Sequence, residues 1–241
     1  MMNIRYGIYL DKLTKRFGET TAIDALTLAV EPGLLHGIIG PDGAGKTTLL
    51  RLMAGLLRPA GGTITFTANG ENADFEHVRP QLAYMPSRQS LYPDLSIEEH
   101  LEFFKSLYQL PPAVYRERAG RLLDITRLER FRGRKVGQLS GGMYKKVGLM
   151  CALLRSPAVL LLDEPTNGVD PISRREFWEL LYQLSGEHIL IIISTAYMDE
   201  AERCSRVHLL DSGRCIASGE PAQVLAREKA QSFDELWMKR A

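Results

Sequence analysis

Three groups of residues in this chain have the types and spacing to do chemistry on a phosphate. The first is Gly40-Pro41-Asp42-Gly43-Ala44-Gly45-Lys46-Thr47-Thr48. It fits the pattern GxxxxGK[ST], whose glycines let successive backbone N–H groups curl around a phosphate while Lys46 reaches the terminal phosphates and Thr47 holds Mg²⁺. Oriented amides, the positive end of a helix macrodipole and a lysine then converge on one polyanion. The second is Leu139-Ser140-Gly141-Gly142, a hydroxyl and two glycines at an expected helix start. Alone it is a weak signal, because such triplets often only open a helix. The third is the apolar run Val159 to Leu162, closed by Asp163-Glu164 and broken by Pro165. Four apolar residues followed by a chain break place both carboxylates at the carboxyl end of a buried strand, where ligands of open α/β sheets sit. There Asp163 would bind Mg²⁺ directly or through water, and Glu164 would polarise and orient an attacking water.

The elements that must position these groups follow from periodicity and breakers. β-Leaning segments around Ile8-Tyr9-Leu10 and Leu26 to Val30 flank a Gly18-Glu19 turn and predict a small antiparallel sheet. Leu34 to Ile39 reads as a strand feeding the glycine-rich loop, and the helix behind it carries Leu49, Leu50, Leu52, Met53, Leu56 and Leu57 and stops before Pro59. Gly61-Gly62 and Thr63 to Thr67 predict a turn and a half-buried strand. Ser96 with Glu99 forms a capping box for a helix to about Tyr108. Further helices are expected over roughly Val114 to Arg130 and Ser140 to Arg155. The remainder alternates: Val159 to Leu162, a helix capped by Ser173 with Glu176, Ile189 to Ile193, a helix near Asp199 to Cys204, and Val207 to Leu210. Such alternation implies a mostly parallel sheet covered by helices.

Taken in this order, the three groups make the chain resemble the ATP-binding subunit of an ABC transporter, over Ile8 to about Gly219. The resemblance implies an α/β P-loop NTPase: a RecA-like mixed-sheet core, a small N-terminal antiparallel β subdomain and a helical lobe. The expected division of the single domain 1–241 is core and β subdomain over 1–88 and 156–220, helical lobe over 89–155 and a helical tail over 221–241. It implies ATP and Mg²⁺ as cofactors, with ATP cradled by Gly40, Pro41, Asp42, Gly43, Ala44, Gly45, Lys46, Thr47 and Thr48, the metal on Thr47 and Asp163, and catalysis by Glu164 and Lys46. It further implies that Ser140, Gly141 and Gly142 contact the γ-phosphate held by an opposing subunit, and that Asn167-Gly168-Val169-Asp170 forms a loop with Asp170 at the dimer seam. Phe17, which alone reads as a core aromatic, would stack on adenine. Met143 stands where most relatives carry glutamine, as in many export ATPases.

Two departures bear on turnover. Where relatives read Pro-Gln after the strand Leu82 to Met85, this chain has Ser87. Gln89 lies two residues on, a shift of about 6–7 Å along an extended segment. Where relatives follow two hydroxyl residues with a histidine aimed at the γ-phosphate, this chain reads Ser194-Thr195-Ala196. Losing one donor aimed at transition-state charge costs on the order of 10²–10³ in rate, so slow hydrolysis, or help from a partner, is expected. None of His36, His77, His100, His188 and His208 occupies the matching position, and all five read as surface or satisfied core residues.

Composition agrees without adding specificity. With 241 residues, 45% of them hydrophobic, the chain can bury one sizeable core. Thirty basic and 29 acidic residues give a formal charge of +1, so no global field favours nucleic acid, and no direct nucleic-acid contact is expected. The basic segment Arg116 to Lys135 is interleaved with Leu122, Leu123, Ile125 and Leu128 and reads as a solvated amphipathic helix. Cys151, Cys204 and Cys215 lack metal-ligand spacing and suit a reducing compartment. No apolar run approaches a membrane span and the amino terminus lacks a signal-peptide pattern. The expectation is a peripheral subunit at the cytoplasmic face of the inner membrane, partnered by transmembrane permease subunits and a second ATPase, either another copy or a paired domain, closest to bacterial ABC-2-type exporter ATPases. Alternative readings are a soluble ABC-family ATPase acting on ribosomes or nucleic acid, which would usually join two such domains or carry a coiled-coil insertion, and a weakly hydrolysing half-site partner in an asymmetric pair.

Overall fold

The computed structural model describes residues 4–88, 90–186 and 189–239. In chain order the elements are β1 (Tyr6–Phe17), β2 (Thr20–Val30), β3 (Leu35–Ile39), α1 (Lys46–Met53), β4 (Gly61–Ala68), β5 (Glu71–Ala73), α2 (Phe75–Val78), β6 (Leu82–Met85), α3 (Ile97–Leu107), α4 (Pro112–Thr126), α5 (Gly141–Leu153), β7 (Val159–Asp163), α6 (Pro171–Ser185), β8 (Leu190–Thr195), β9 (Arg206–Asp211), β10 (Arg214–Gly219), α7 (Pro221–Arg227) and α8 (Phe233–Met238).

Alternating burial along the second half of β2 leaves one face for a core and one for solvent, and the strand joins an antiparallel sheet of order β2-β1-β4-β5. The second sheet has the order β10-β9-β3-β8-β7-β6; β3 pairs in parallel with β8 and β9, β7 with β6 and β8, and only β10 runs antiparallel. Its central strands β3, β7 and β8 are buried at every residue, as a sheet covered on both faces requires. One hydrophobic cluster lies between the antiparallel sheet, α1 and one face of the parallel sheet, centred on Ile38, Leu49, Leu161 and Ile192. The other joins the opposite face to α3, α4, α5 and α6, through residues such as Leu101, Leu123, Val147, Trp178 and Ile193.

Local signals held where a side chain caps the helix. The Ser96–Glu99 box is formed reciprocally, Glu99 N donating to Ser96 Oγ at 3.2 Å and Ser96 N to Glu99 Oε2 at 2.7 Å. Four expectations are corrected. The helix behind the glycine-rich loop ends at Met53, because Gly55 turns left-handed (φ +69) and Leu56 N and Leu57 N fold back onto Arg51 O. The helix expected to Arg130 stops at Thr126, where Arg127 takes φ +59. The helix assigned a Ser173–Glu176 cap is capped instead by Asp170, and Glu176 turns to Lys146, 2.6 Å away. The segment expected as a helix near Asp199 to Cys204 is a 3₁₀ turn, Met198–Arg203, anchored by buried Glu200, which accepts from Trp178 Nε1 (2.9 Å) and Thr166 Oγ1 (3.2 Å) and pairs with Arg174 Nε (3.0 Å).

Candidate nucleotide site

Parallel pairing brings the ends of three strands together. Asp163 at the end of β7 lies opposite Ser194 on β8, and Ser194 lies opposite Ile38 on β3, two residues before Gly40. The loop that leaves β3 therefore stands beside both carboxylates. Gly45 sits at φ +103 immediately before α1, and a Cβ there would meet Ala22 O at 2.5 Å, so only glycine fits between this turn and the neighbouring sheet. An open cavity of about 320 Å³ is lined by Gly43, Gly45, Lys46, Thr47, Thr48 and Glu164, with Ala22, Asp42 and Ser87 at its edge.

Lys46 is only 4% exposed; its ammonium donates to Gly40 O (2.9 Å) and Pro41 O (3.0 Å) and pairs with Glu164 Oε1 at 3.1 Å. Asp163 is fully buried. Its Oδ1 accepts from Ser194 Oγ (2.7 Å) and Thr47 Oγ1 (2.9 Å), and its Oδ2 from the Tyr84 hydroxyl (3.1 Å). Burial of the Tyr84 phenol raises its pKa above the ordinary tyrosine value, a rise reinforced by the Asp163 carboxylate and opposed by Arg51.

Glu164 has a left-handed backbone (φ +45), which costs a residue with a Cβ about 1–3 kcal/mol unless its surroundings impose it. They do: Glu164 N donates to Ser194 Oγ (3.0 Å) and Ser194 O (3.1 Å), Glu164 O accepts from Lys145 Nζ (3.2 Å), and Asn167 Nδ2 holds Glu164 Oε2 at 3.0 Å. Lys145 also donates to Ser87 O at 3.2 Å; burial lowers its pKa and the two carboxylates partly restore it. Glu164 is thus held from both backbone and side chain.

The remaining expected residues stand apart from this cavity. Ser140 caps α5, accepting from Met143 N at 3.3 Å, and is exposed together with Gly141. Gly142 is buried against α6, where a Cβ would lie 2.4 Å from Ser173 Cβ. That glycine answers a packing demand between α5 and α6 as well as any demand for open access. Asp170 caps α6 through Ser173 N (3.0 Å), and that backbone donor holds its carboxyl below the usual carboxylate range. Phe17 is 50% exposed at the end of β1 with Lys15 Nζ 5.1 Å from its ring centre, so it is not a core aromatic. Ser194 is engaged with Asp163 and Glu164, and Thr195 Oγ1 accepts from Tyr197 N at 3.0 Å. Ser194 thus spends its hydroxyl proton on Asp163, whereas the Thr195 hydroxyl, which only accepts here, keeps its own proton. Gln89 and His188 lie outside the described residues. Of the other histidines, His36 and His208 are buried and bonded to each other at 3.0 Å, His100 donates from Nδ1 to Ser96 O and accepts at Nε2 from Tyr92 N, and His77 is exposed.

Sequence reasoning missed Tyr84, Ser194, Lys145 and Asn167 as members of this network. Period-2 reading of the strand Leu82 to Met85 could have put Tyr84 on one face with the carboxylate end of β7, but nothing local gives its partner.

The donors fit a hard cation. A hydroxyl and a carboxylate beside a phosphate cradle are the oxygen set by which Mg²⁺ is held, with water and substrate phosphates completing its shell. Clusters of three or more His, Cys, Asp or Glu are absent among the described residues, and a site of this kind does not need one.

The fold and this cavity define a P-loop ATP-binding domain of mixed parallel sheet. The family model described as "ABC transporter" matches residues 23–167, and the chain belongs to that family of ATP-hydrolysing domains. It is 42% identical over 228 residues to the probable multidrug ABC transporter ATP-binding protein YbhF of Escherichia coli (strain K12), covering 94% of this chain and 39% of that protein's length. The Nod factor export ATP-binding protein I of Ralstonia nicotianae is 37% identical over 91% of this chain and 68% of its own. Among solved structures, an ATP-binding subunit of an ABC transporter superposes with a TM-score of 0.82 at 31% identity, covering 96% of this chain and 98% of that one. A dimeric bacterial ABC transporter cassette gives a TM-score of 0.76 at 26% identity, over 88% and 98%. No helix among the described residues is long and apolar enough to cross a membrane.

Proposed function

We propose that this chain is the ATP-binding and ATP-hydrolysing subunit of an exporter, closing head to tail with a second ATPase around two nucleotides and driving separate membrane subunits. The observation that carries the reading is the meeting of Lys46 and Glu164 at 3.1 Å in the cavity that also holds Thr47 bonded to Asp163. ATP would sit with its phosphates in the loop Gly40 to Thr48 and its adenine on Phe17. Lys46 then turns from its carbonyls and Glu164 to the terminal phosphates, which frees the carboxylate to orient water for in-line attack. Mg²⁺ held by the Thr47 hydroxyl and the Asp163 carboxylate would neutralise charge developing on the β- and γ-oxygens. Ser140 and Gly141, exposed at the start of α5 and outside the cavity of their own chain, are open to the nucleotide of a partner. Asp170 lies at the seam.

Export as the direction rests on the names of the multidrug and Nod factor relatives. With alanine at position 196 and the Ser194 hydroxyl proton committed to Asp163, the isolated chain should turn over slowly unless Thr195 or a partner supplies a donor. The test is ATP hydrolysis and ATP-dependent dimerisation by the purified chain and its Glu164→Gln variant, together with identification of the proteins that co-purify with the chain from detergent-solubilised cells. A Glu164→Gln chain that hydrolyses at the parental rate refutes the catalytic assignment, and copurification with ribosomes instead of a membrane partner refutes export.

A further inference from the structure

We propose that Tyr84 is a positioning residue for the metal: its hydroxyl sets the orientation of the Asp163 carboxylate and thereby the affinity of the site for Mg²⁺. The inference rests on the reading of Asp163 as a Mg²⁺ carboxylate and adds a residue to it. A carboxylate that binds a small octahedral cation must present an oxygen in a fixed direction, because Mg²⁺ demands near-ideal geometry. Two contacts act on Asp163 Oδ1, from Ser194 and Thr47, and the Thr47 hydroxyl is the one that a bound cation would recruit. On Oδ2 the donor among the described residues is Tyr84, at 3.1 Å. With both oxygens tied, the carboxylate plane cannot rotate about its Cβ–Cγ bond; with Tyr84 silent, Oδ2 is a buried acceptor free to swing.

The fold makes this contact without help from neighbouring sequence. Tyr84 is opposite Leu161 in the parallel β6–β7 pair, so its side chain leaves the sheet on the face shared by Leu161 and Asp163, two residues on. The phenol is long enough to lie over that two-residue step and end on the carboxylate, where phenylalanine would fill the same space and make no bond. Arg51, in the last turn of α1, stands against the same hydroxyl. The helix that begins with the phosphate-gripping lysine thus ends beside the group that orients the metal carboxylate.

Tyr84→Phe tests the assignment by binding rather than turnover. A fluorescent ATP analogue is titrated onto the intact chain in EDTA, then Mg²⁺ is titrated into the complex; Asp163→Asn is measured alongside. Affinity in EDTA should be unchanged in Tyr84→Phe, which also reports that the site is folded, while the Mg²⁺ midpoint should rise about 10-fold, the lower end of what loss of an outer-shell partner costs. Asp163→Asn should raise it further. A Tyr84→Phe midpoint equal to the parent's, with Asp163→Asn shifted, overturns the role of Tyr84. Parental midpoints in both variants overturn the reading of Asp163 itself.

Discussion

Removing the Ser194 hydroxyl probes the point where both site carboxylates are tied to one side chain. Ser194 Oγ makes the shortest of the three contacts to buried Asp163, at 2.7 Å, and at the same time accepts Glu164 N at 3.0 Å. In Ser194→Ala the amide keeps Ser194 O, 3.1 Å away, so that donor stays satisfied. Asp163 Oδ1 retains only Thr47. Loss of a hydrogen bond to a buried charge costs about 1.5–3 kcal/mol, and at about 2–4 °C per kcal/mol for a chain of this size the melting temperature should fall by about 3–12 °C. Turnover should fall about 10–100-fold, because the metal carboxylate and the left-handed Glu164 both lose a support. Calorimetric melting without nucleotide and steady-state hydrolysis at saturating MgATP measure the two effects. A variant with parental melting and parental kcat would mean that Asp163 is held adequately by Thr47 and Tyr84, and that the strained carboxylate loop does not depend on β8.

Lys46→Ala should abolish ATP binding, since it removes the ammonium that reaches the phosphates, and unchanged affinity in an equilibrium titration would refute that role. Glu164→Gln should bind ATP but lower turnover about 10²–10⁴-fold, and size-exclusion chromatography should find it dimeric only with ATP present. Ala196→His should raise kcat with little change in ATP affinity, because it adds a contact made chiefly in the transition state; an inert variant would mean that this loop does not face the γ-phosphate. Burial lowers the pKa of His36 to about 4 and of His208 to about 3. In both cases the unfolded imidazole binds the proton first, so stability should fall as pH drops from about 6.5 toward 4, and melting temperatures that are flat between pH 7 and pH 5 would contradict it.

The glycine-rich loop and the Asp163-Glu164 strand end were legible because their chemistry is written in consecutive residues. So were the strands β3, β7 and β8, whose predominantly apolar runs, buried at every residue, suit a sheet covered on both faces. What escaped depends on partners distant in the chain. Tyr84 and Asp163 are separated by 79 positions, and an aromatic in an apolar strand reads as core until its hydroxyl is placed. Lys145 carries no local signal in the sequence, yet it is buried and donates to the Glu164 carbonyl. Helix ends failed for a related reason: Arg127 and Gly55 stop α4 and α1 by taking left-handed conformations, which a hydrophobic period does not register. The Asp170 cap was passed over for Ser173 three residues on, since both positions satisfy the same local rule.

The convergence of strand ends has a consequence for how this chain is made. Ile38, Asp163 and Ser194 are neighbours through parallel pairings between β3, β7 and β8, segments more than a hundred residues apart at their extremes. Parallel pairings of this range close large loops before they return any contact energy, and they form late. A nascent or partly folded chain can own its glycine-rich loop and its first sheet and still lack both carboxylates at the cradle. ATP binding that needs the whole cradle is therefore a property of the finished core, and nucleotide that binds only that state adds to its stability in proportion to the logarithm of its concentration above Kd. A nucleotide pool thereby favours completely folded chains over partly folded ones.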